Sequence, residues 1–408
     1  MTMLDTLLTA LMLQAGYNAA LVALGAGLLG IAAGAGGTFL FLRKRALVSD
    51  AVAHATLPGV GIAFIVMVLL GGDGRSLPGL LLGSAISAAI GLLLVEWIAR
   101  RTRLAEDAAI GAVLSVFFGI GIVLLTVIQT MSRGKQAGLE SFLLGSTAGM
   151  LYQDAVVIAI GGGLALLAVL LLRRPMTLVA FDPEYAAARG LEVRLVDLAM
   201  MGLVLGVTVI GLKIVGLILI VAMLIIPAVT ARFWTDRTEH VVLVAGALGG
   251  VSGYLGAALS ASAPGIPTGP IIVLVAFGLF FLSLLLAPKR GVLAALLRHR
   301  RFQLRVHRRQ GLLALAHGEP VLDPLTIRVL RRDGMIRGDM VPTDAGRARA
   351  AKALRDERRW EIARQIHQDE AIHGRYDGLT PIENVLTRDE IADIDRRIGG
   401  PVVAGGAA

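Results

Sequence analysis

The run RKRALVSDAVAHATLPG (43–59) sets three cations, then Asp50 and His54 four residues apart, then Pro58-Gly59, between two apolar stretches. Residues four apart on a helix share a face, so the carboxylate and the imidazole can address one point. One oxygen and one nitrogen ligand so placed suit a hard or borderline divalent cation such as zinc, manganese or iron. A helix cap at Asp50 with a satisfied core histidine at His54 is the ordinary alternative. The surroundings favour the metal reading, because ionisable side chains at the edge of a membrane span are costly and are kept for function.

The elements that must hold this pair are membrane helices. Of 408 residues, 56% are hydrophobic and 17% charged, with 50 glycines and a mean hydropathy of +0.75. Long apolar runs with this much glycine predict an all-α polytopic membrane protein. Nine spans are predicted, near 18–42, 46–71, 78–98, 108–130, 154–172, 195–211, 213–231, 239–261 and 270–287. The absence of cysteine excludes disulfides and thiolate metal sites. No charged segment with a small-residue cleavage site opens the chain, so no removable signal peptide is expected.

Charge orients the spans. Residues 1–288 hold 16 Lys+Arg against 14 Asp+Glu, whereas 289–408 hold 23 against 16. Arg43 to Arg45, Arg100, Arg101, Arg103, Arg173, Arg174, Arg189, Arg194, Arg232, Arg237, Lys289 and Arg290 flank alternate ends of the spans. Only Arg75, Arg133 and Lys135 fall in the opposite loops. The positive-inside rule makes the first set cytoplasmic, which with nine spans puts the N-terminus outside and the C-terminal part inside.

Several spans are broken by Pro or Gly, at Pro58-Gly59, at Pro227 and at PGIPTGP (264–270). Glycines such as Gly25, Gly30, Gly34 and Gly37 suit close helix packing. The chain carries no ATPase of its own. It has five lysines, and Lys135, the one that follows a glycine, is followed by Gln136 rather than the Ser or Thr of a phosphate-binding loop. Between the fifth and sixth spans, FDPEYAAARGLEV (181–193) reads as a short exposed helix: Asp182 caps, Pro183 and Glu184 sit in the first turn, and Gly190 ends it. Such a helix suits docking of a partner.

ALVSDAVAHATLPG (46–59) resembles the signature of the zinc/manganese/iron permeases of bacterial ABC importers. EDAAIGAVLS (106–115), FDPEYAAARG (181–190), VGLILIVAMLIIPAVTAR (215–232) and PTGPIIVL (267–274) resemble further motifs of that family, in the same order. The resemblance implies a permease subunit, not an enzyme, that dimerises with a second copy or a paralogue. It also implies an extracytoplasmic metal-binding protein that delivers the ion and a separate ATPase subunit that drives transport. Asp50 and His54 would line the metal path. Phe181, Asp182, Pro183, Glu184 and Gly190 would belong to the helix that couples to the ATPase. The transported divalent metal is the only ion implied, with no permanently bound cofactor.

The expected organisation is a membrane domain over 1–288, a basic juxtamembrane linker over 289–308, a small domain over 309–398 and a disordered tail over 399–408. In the small domain, helices are expected near 309–317, 323–332, 344–368 and 387–398, with a short β-ribbon at 335–342. DPLTIRVLRRDGMIRGDMVPTDAGRARA (323–350), with RRWEIARQIHQ (358–368) and IENVL (382–386), resembles the winged-helix part of diphtheria-toxin-repressor-type metal regulators. Asn384 stands where that pattern has a histidine. This part could sense metal through Glu361, His367, Glu370 or His373, bind DNA, or pack against another subunit; nucleic acid is the least expected partner. Two alternatives to metal import follow, a membrane-tethered metal-responsive regulator and a permease for a metal chelate.

Overall fold

The computed structural model describes residues 3–72, 74, 76–131, 150–263, 266–366 and 378–398. Arg75, Arg133, Lys135, His367, Glu370, His373 and the tail 399–408 lie outside the described residues. The chain divides into two compact units, 1–294 and 295–408.

Helices are the secondary structure of the first unit's described residues, joined by short turns. A short helix α1 (Met3–Leu11) precedes α2 (Tyr17–Leu42), α3 (Leu47–Leu69), α4 (Leu77–Arg101), α5 (Glu106–Thr130), α6 (Tyr152–Phe181) and α7 (Pro183–Ala188). There follow α8 (Val193–Leu212), α9 (Val215–Trp234), α10 (Thr238–Ala261) and α11 (Thr268–Leu286). Among the described residues, nine helices are long and apolar enough to cross a membrane: all of these except α1 and α7. They fall where the hydropathy of the sequence places them, within a few residues at each end except at the C-terminus of α6.

Burial grades the nine. α2, α3, α8, α9 and α10 bury more than half of their most apolar stretch, whereas α5, α6 and α11 bury less than a quarter of theirs. α2 is packed on α6, α8, α9 and α10. In lipid, apolar surface alone does not draw helices together, so contact depends on close packing. At the crossing of α2 and α10, a Cβ on Gly30 would stand 2.1 Å from the Gly249 carbonyl oxygen, so only glycine lets the two backbones touch. α8 and α9 are nearly continuous. The break between them is Gly216, at φ 77° and ψ 171°, a conformation that costs a side-chain-bearing residue dearly.

α6 extends nine residues past the predicted span. Its 30 residues make a rod about 45 Å long, against a hydrocarbon core of about 30 Å. The excess length lies in its last turns, which carry Arg173 and Arg174 and lead directly into α7.

The second unit contains most of α12 (Val292–His317), then α13 (Pro324–Arg332), α14 (Asp344–Ile366), a 3-10 turn (Ile382–Asn384) and α15 (Arg388–Ile398). Leu312, Leu330, Met335, Ile336 and Ala350 make one small core. Trp360, Ala363, Ile382, Leu386 and Ile394 make another. The expected winged-helix α+β domain is not observed: no strand occurs among the described residues, and the ribbon over 335–342 is a single antiparallel bridge between Ile336 and Pro342. Proline lacks the N–H that would extend a ladder, and Met340, at φ 68°, turns the chain before a second pair can form. The helix expected at 309–317 is the end of α12, which is continuous from Val292.

Arg359 ties α14 to α15. Its Nε and Nη2 donate to the two carboxylate oxygens of Asp395 at 2.7 and 2.6 Å. The hydrogen bond from Arg359 holds the Asp395 carboxyl below the usual carboxylate range. A depressed carboxylate stabilises the fold above the unfolded pKa of about 3.9, and that contribution is lost as pH falls through the folded value. The pair is partly exposed, so it contributes at most about 1 kcal/mol. Amide-exchange protection in Arg388–Ile398, corrected for intrinsic rates, is expected to fall on acidification through the carboxylate range. Asp395→Asn should show the reduced protection already at neutral pH.

Candidate metal site and the ion network behind it

α3 brings Asp50 and His54 together. Asp50 Oδ1 lies 3.4 Å from His54 Nε2. Two atoms each about 2.1 Å from a tetrahedral ion stand about 3.4 Å apart, so the pair already has the spacing of two ligands on one divalent metal. Asp50 lies in the first turn of α3, and its side chain is 39% exposed. Sequestered ligand atoms could not receive an ion, and these are accessible. The His54 ring meets the edge of Phe118 on α5 in a T-shaped contact with centroids 5.2 Å apart. Its Nδ1 is buried and has no hydrogen-bond partner among the described residues.

Pro58 lies inside α3, four residues after His54. Proline has no N–H to give the His54 carbonyl, so that helical hydrogen bond is missing next to the imidazole. The described residues contain no cluster of three or more His, Cys, Asp or Glu able to hold a metal. One chain thus presents two ligands, fewer than the four of a closed tetrahedral site.

Directly before α3, the turn that leaves α2 carries Arg43 and Arg45 into a network of carboxylates. Arg43 Nη2 donates to Asp197 Oδ2 on α8 at 2.8 Å, and Nη1 donates to the Val179 carbonyl near the end of α6 at 3.1 Å. Arg45 lies 2.7 Å from Glu106 at the start of α5 and 3.5 Å from Asp197. Nearby, Glu96 on α4 lies 2.9 Å from Arg100 and 3.4 Å from Arg194. Arg45, Glu96, Arg100, Glu106 and Asp197 line a cavity of about 40 Å³, large enough for a water molecule. Four helices and the turn into α3 are therefore joined by charge at one end of the bundle.

The short helix α7 lies between two of these joined elements, α6 and α8. Asp182 Oδ1 accepts from the Tyr185 N–H at 2.9 Å, Pro183 occupies the first turn, and Gly190 follows at φ 81°. Ala186 is the buried residue of the helix, while Phe181, Glu184 and Tyr185 are exposed. Arg189 donates to the Tyr185 hydroxyl at 3.2 Å and lies over its ring. Phe181 and Tyr185 thus remain exposed aromatic side chains at this short helix, with Arg189 against the Tyr185 ring.

Sequence reasoning brought Asp50 and His54 forward and placed the 181–190 group on one short helix, apart from the pair. It did not single out Glu106, Asp197 or Phe118. A carboxylate one turn inside the apolar helix VRLVDLAMM is itself a signal, because an ion at that depth needs a partner.

The chain was compared with known proteins. The model of the ABC 3 transport family matches residues 17–287. The manganese transport system membrane protein MntC of Bacillus subtilis is 44% identical over 288 residues, which are 71% of this chain and 65% of that protein. The zinc transport system membrane protein TroC of Treponema pallidum is 40% identical over 71% of this chain and 95% of its own length. Among solved structures, PsaBC from Streptococcus pneumoniae in complex with Fab superposes with a TM-score of 0.60 at 28% identity, over 70% of this chain and 97% of that one. The family match therefore spans α2 to α11, and the chain belongs to the ABC 3 transport family.

Proposed function

We propose that this protein is the permease subunit of an ATP-driven importer of divalent transition metal ions, with Asp50 and His54 lining the metal path. The observation that carries the reading is the 3.4 Å carboxylate–imidazole pair on α3, set in a bundle of this family. Manganese and zinc are the favoured cargoes, since relatives are named for manganese and zinc transport; iron is compatible with the same ligands. Two oxygen and nitrogen ligands per chain bind an ion weakly enough to release it. A second copy or a paralogue supplies a second Asp-His pair across the path.

In this reading the end of the bundle bearing Arg43, Arg45 and α7 is cytoplasmic, and the N-terminus is outside. A separate ABC ATPase docks on the exposed aromatic side chains at α7, and an extracytoplasmic protein delivers the metal at the opposite end. Motion of α7 reaches α3 by way of α6, α8 and the Arg43–Asp197 pair.

The test is uptake of labelled manganese and zinc in cells that carry this chain with its ATPase and binding protein. Accumulation should require both the chain and a hydrolysing ATPase. Undiminished accumulation of both metals without the chain would overturn the transport reading.

A further inference from the structure

The chain leaves its last apolar helix through a hydrogen-bonded turn. α11 ends at Leu286, and Gly291 N–H donates to the Ala287 carbonyl at 2.8 Å. Arg290 Nη2 donates to Asp236 Oδ1 at 2.6 Å, and Lys289 lies 3.8 Å from the same carboxylate. Asp236 belongs to the connection between α9 and α10, so the turn is fixed at the level where α9 ends. There, Trp234 is half-exposed and donates to Ser283 Oγ at 2.9 Å. A tryptophan so placed is typical of a membrane–water boundary.

From this level α12 departs with a split character. Its second half contributes Gly311 and Leu312 to the buried part of the second unit. Its first half exposes Val292, Leu293, Leu296 and Leu297, by 41%, 47%, 60% and 54%. At 100° per residue these four and Leu304 occupy one sector of about 140°. Arg298, Arg301 and Arg305 lie on the other side, and Arg300 lies within the apolar sector. Residues 289–318 contain eight Lys+Arg and no carboxylate. Arg308 and Arg309 pair with Asp333 and Glu357. Arg300, Arg301 and Arg305 are exposed and form no ion pair among the described residues.

An apolar stripe backed by cations, starting six residues after the end of a span, has the chemistry of a lipid surface rather than of a protein groove. Leucines sink to the acyl boundary while guanidinium groups meet phosphate. We propose that the first half of α12, residues 292–305, docks on the anionic phospholipid of the leaflet at which α11 ends. The proposal rests on the topology given above, which makes that leaflet cytoplasmic. Its consequence is that the attachment of the C-terminal unit depends on lipid charge.

The chain has no cysteine, so Leu297→Cys gives the full-length protein a single thiol for an environment-sensitive dye. Phe277→Cys, on the exposed side of α11, is the reference for lipid contact. In nanodiscs of phosphatidylglycerol and phosphatidylcholine, the dye at 297 should shift to the blue and be quenched by acyl-chain nitroxides. Both signals should disappear in phosphatidylcholine alone, and in phosphatidylglycerol when Arg300, Arg301 and Arg305 are replaced by glutamine. A dye at 297 that stays in water in both lipids, with the dye at 277 in lipid, overturns the proposal and leaves the membrane reading intact. Equal shielding at 297 in detergent and in both lipids shows packing on protein and overturns it too. Shielding that appears only after the ATPase subunit is added assigns the surface to that subunit instead. A dye at 277 in water removes the membrane reading and this proposal with it.

Discussion

Uptake of manganese or zinc falls below about a tenth of the parent rate in both His54→Ala and Asp50→Ala, since changes merely adjacent to metal ligands already cost such sites about 10–100-fold. Each variant leaves one ligand on α3 where there were two, and a single carboxylate or imidazole competes poorly with the hydration shell of the ion. Asp50→Asn should fall between parent and alanine, because it keeps an oxygen donor and loses the charge. Neither side chain is deeply buried, and neither variant removes a large apolar contact, so both proteins should insert and melt close to the parent. Labelled-metal uptake, with membrane content measured by quantitative blotting, reads the two effects apart. Parent-like uptake in both alanine variants would remove the metal path from Asp50 and His54. Loss of uptake together with loss of the inserted protein would assign them to folding instead.

The fold was legible because lipid imposes long apolar segments. Each span announces itself by length and composition, without any need to know its neighbours. The near-fusion of α8 and α9 was visible for the same reason, since two apolar runs meet with almost no polar residue between them. The ends were less legible. The true end of α6 lies in RRPMTLVAF (173–181), whose cations and proline read as a boundary, while helical geometry persists through them to Phe181.

The C-terminal unit misled for a physical reason. Its helices follow from caps and periodicity: Asp323 accepts from the Thr326 N–H at 2.7 Å at the start of α13, as an Asp-Pro start predicts. The ribbon was read from the local pattern of 335–342, whereas strand pairing depends on donors, and Pro342 has none. The basic linker assigned to 289–308 is helical from Val292, because cations strung between leucines favour a helix as much as they favour solvent.

In the site, the chemistry of the α3 pair was legible because both ligands lie on one helix, four residues apart. The network behind it was not, because Arg43 and Asp197 are 154 residues apart and only the packing of α2 against α8 brings them together. Glu106 was in view within EDAAIGAVLS, yet nothing local joins it to Arg45.

That network carries the second large effect. Asp197→Ala should destabilise the protein by about 3–5 kcal/mol, the cost of leaving a buried charge without its partner. The Asp197 side chain is only 11% exposed, and its Oδ2 faces both Arg43 and Arg45. Without it, Arg43 keeps the Val179 carbonyl alone, while Arg45 keeps Glu106. Asp197→Asn retains shape and one acceptor, so its loss should be smaller. Arg43→Ala removes the other partner, and the double variant Arg43→Ala/Asp197→Ala should be less unstable than the sum of the two, since the orphaned charge is gone. Thermal unfolding in detergent gives the cycle. Uptake and ATP hydrolysis in the reconstituted complex then separate stability from coupling. If the pair links α7 to α3, the double variant should regain stability yet hydrolyse ATP with little metal movement. Coupled transport at the parent ratio in the double variant would show that Arg43 and Asp197 fasten the bundle and transmit nothing.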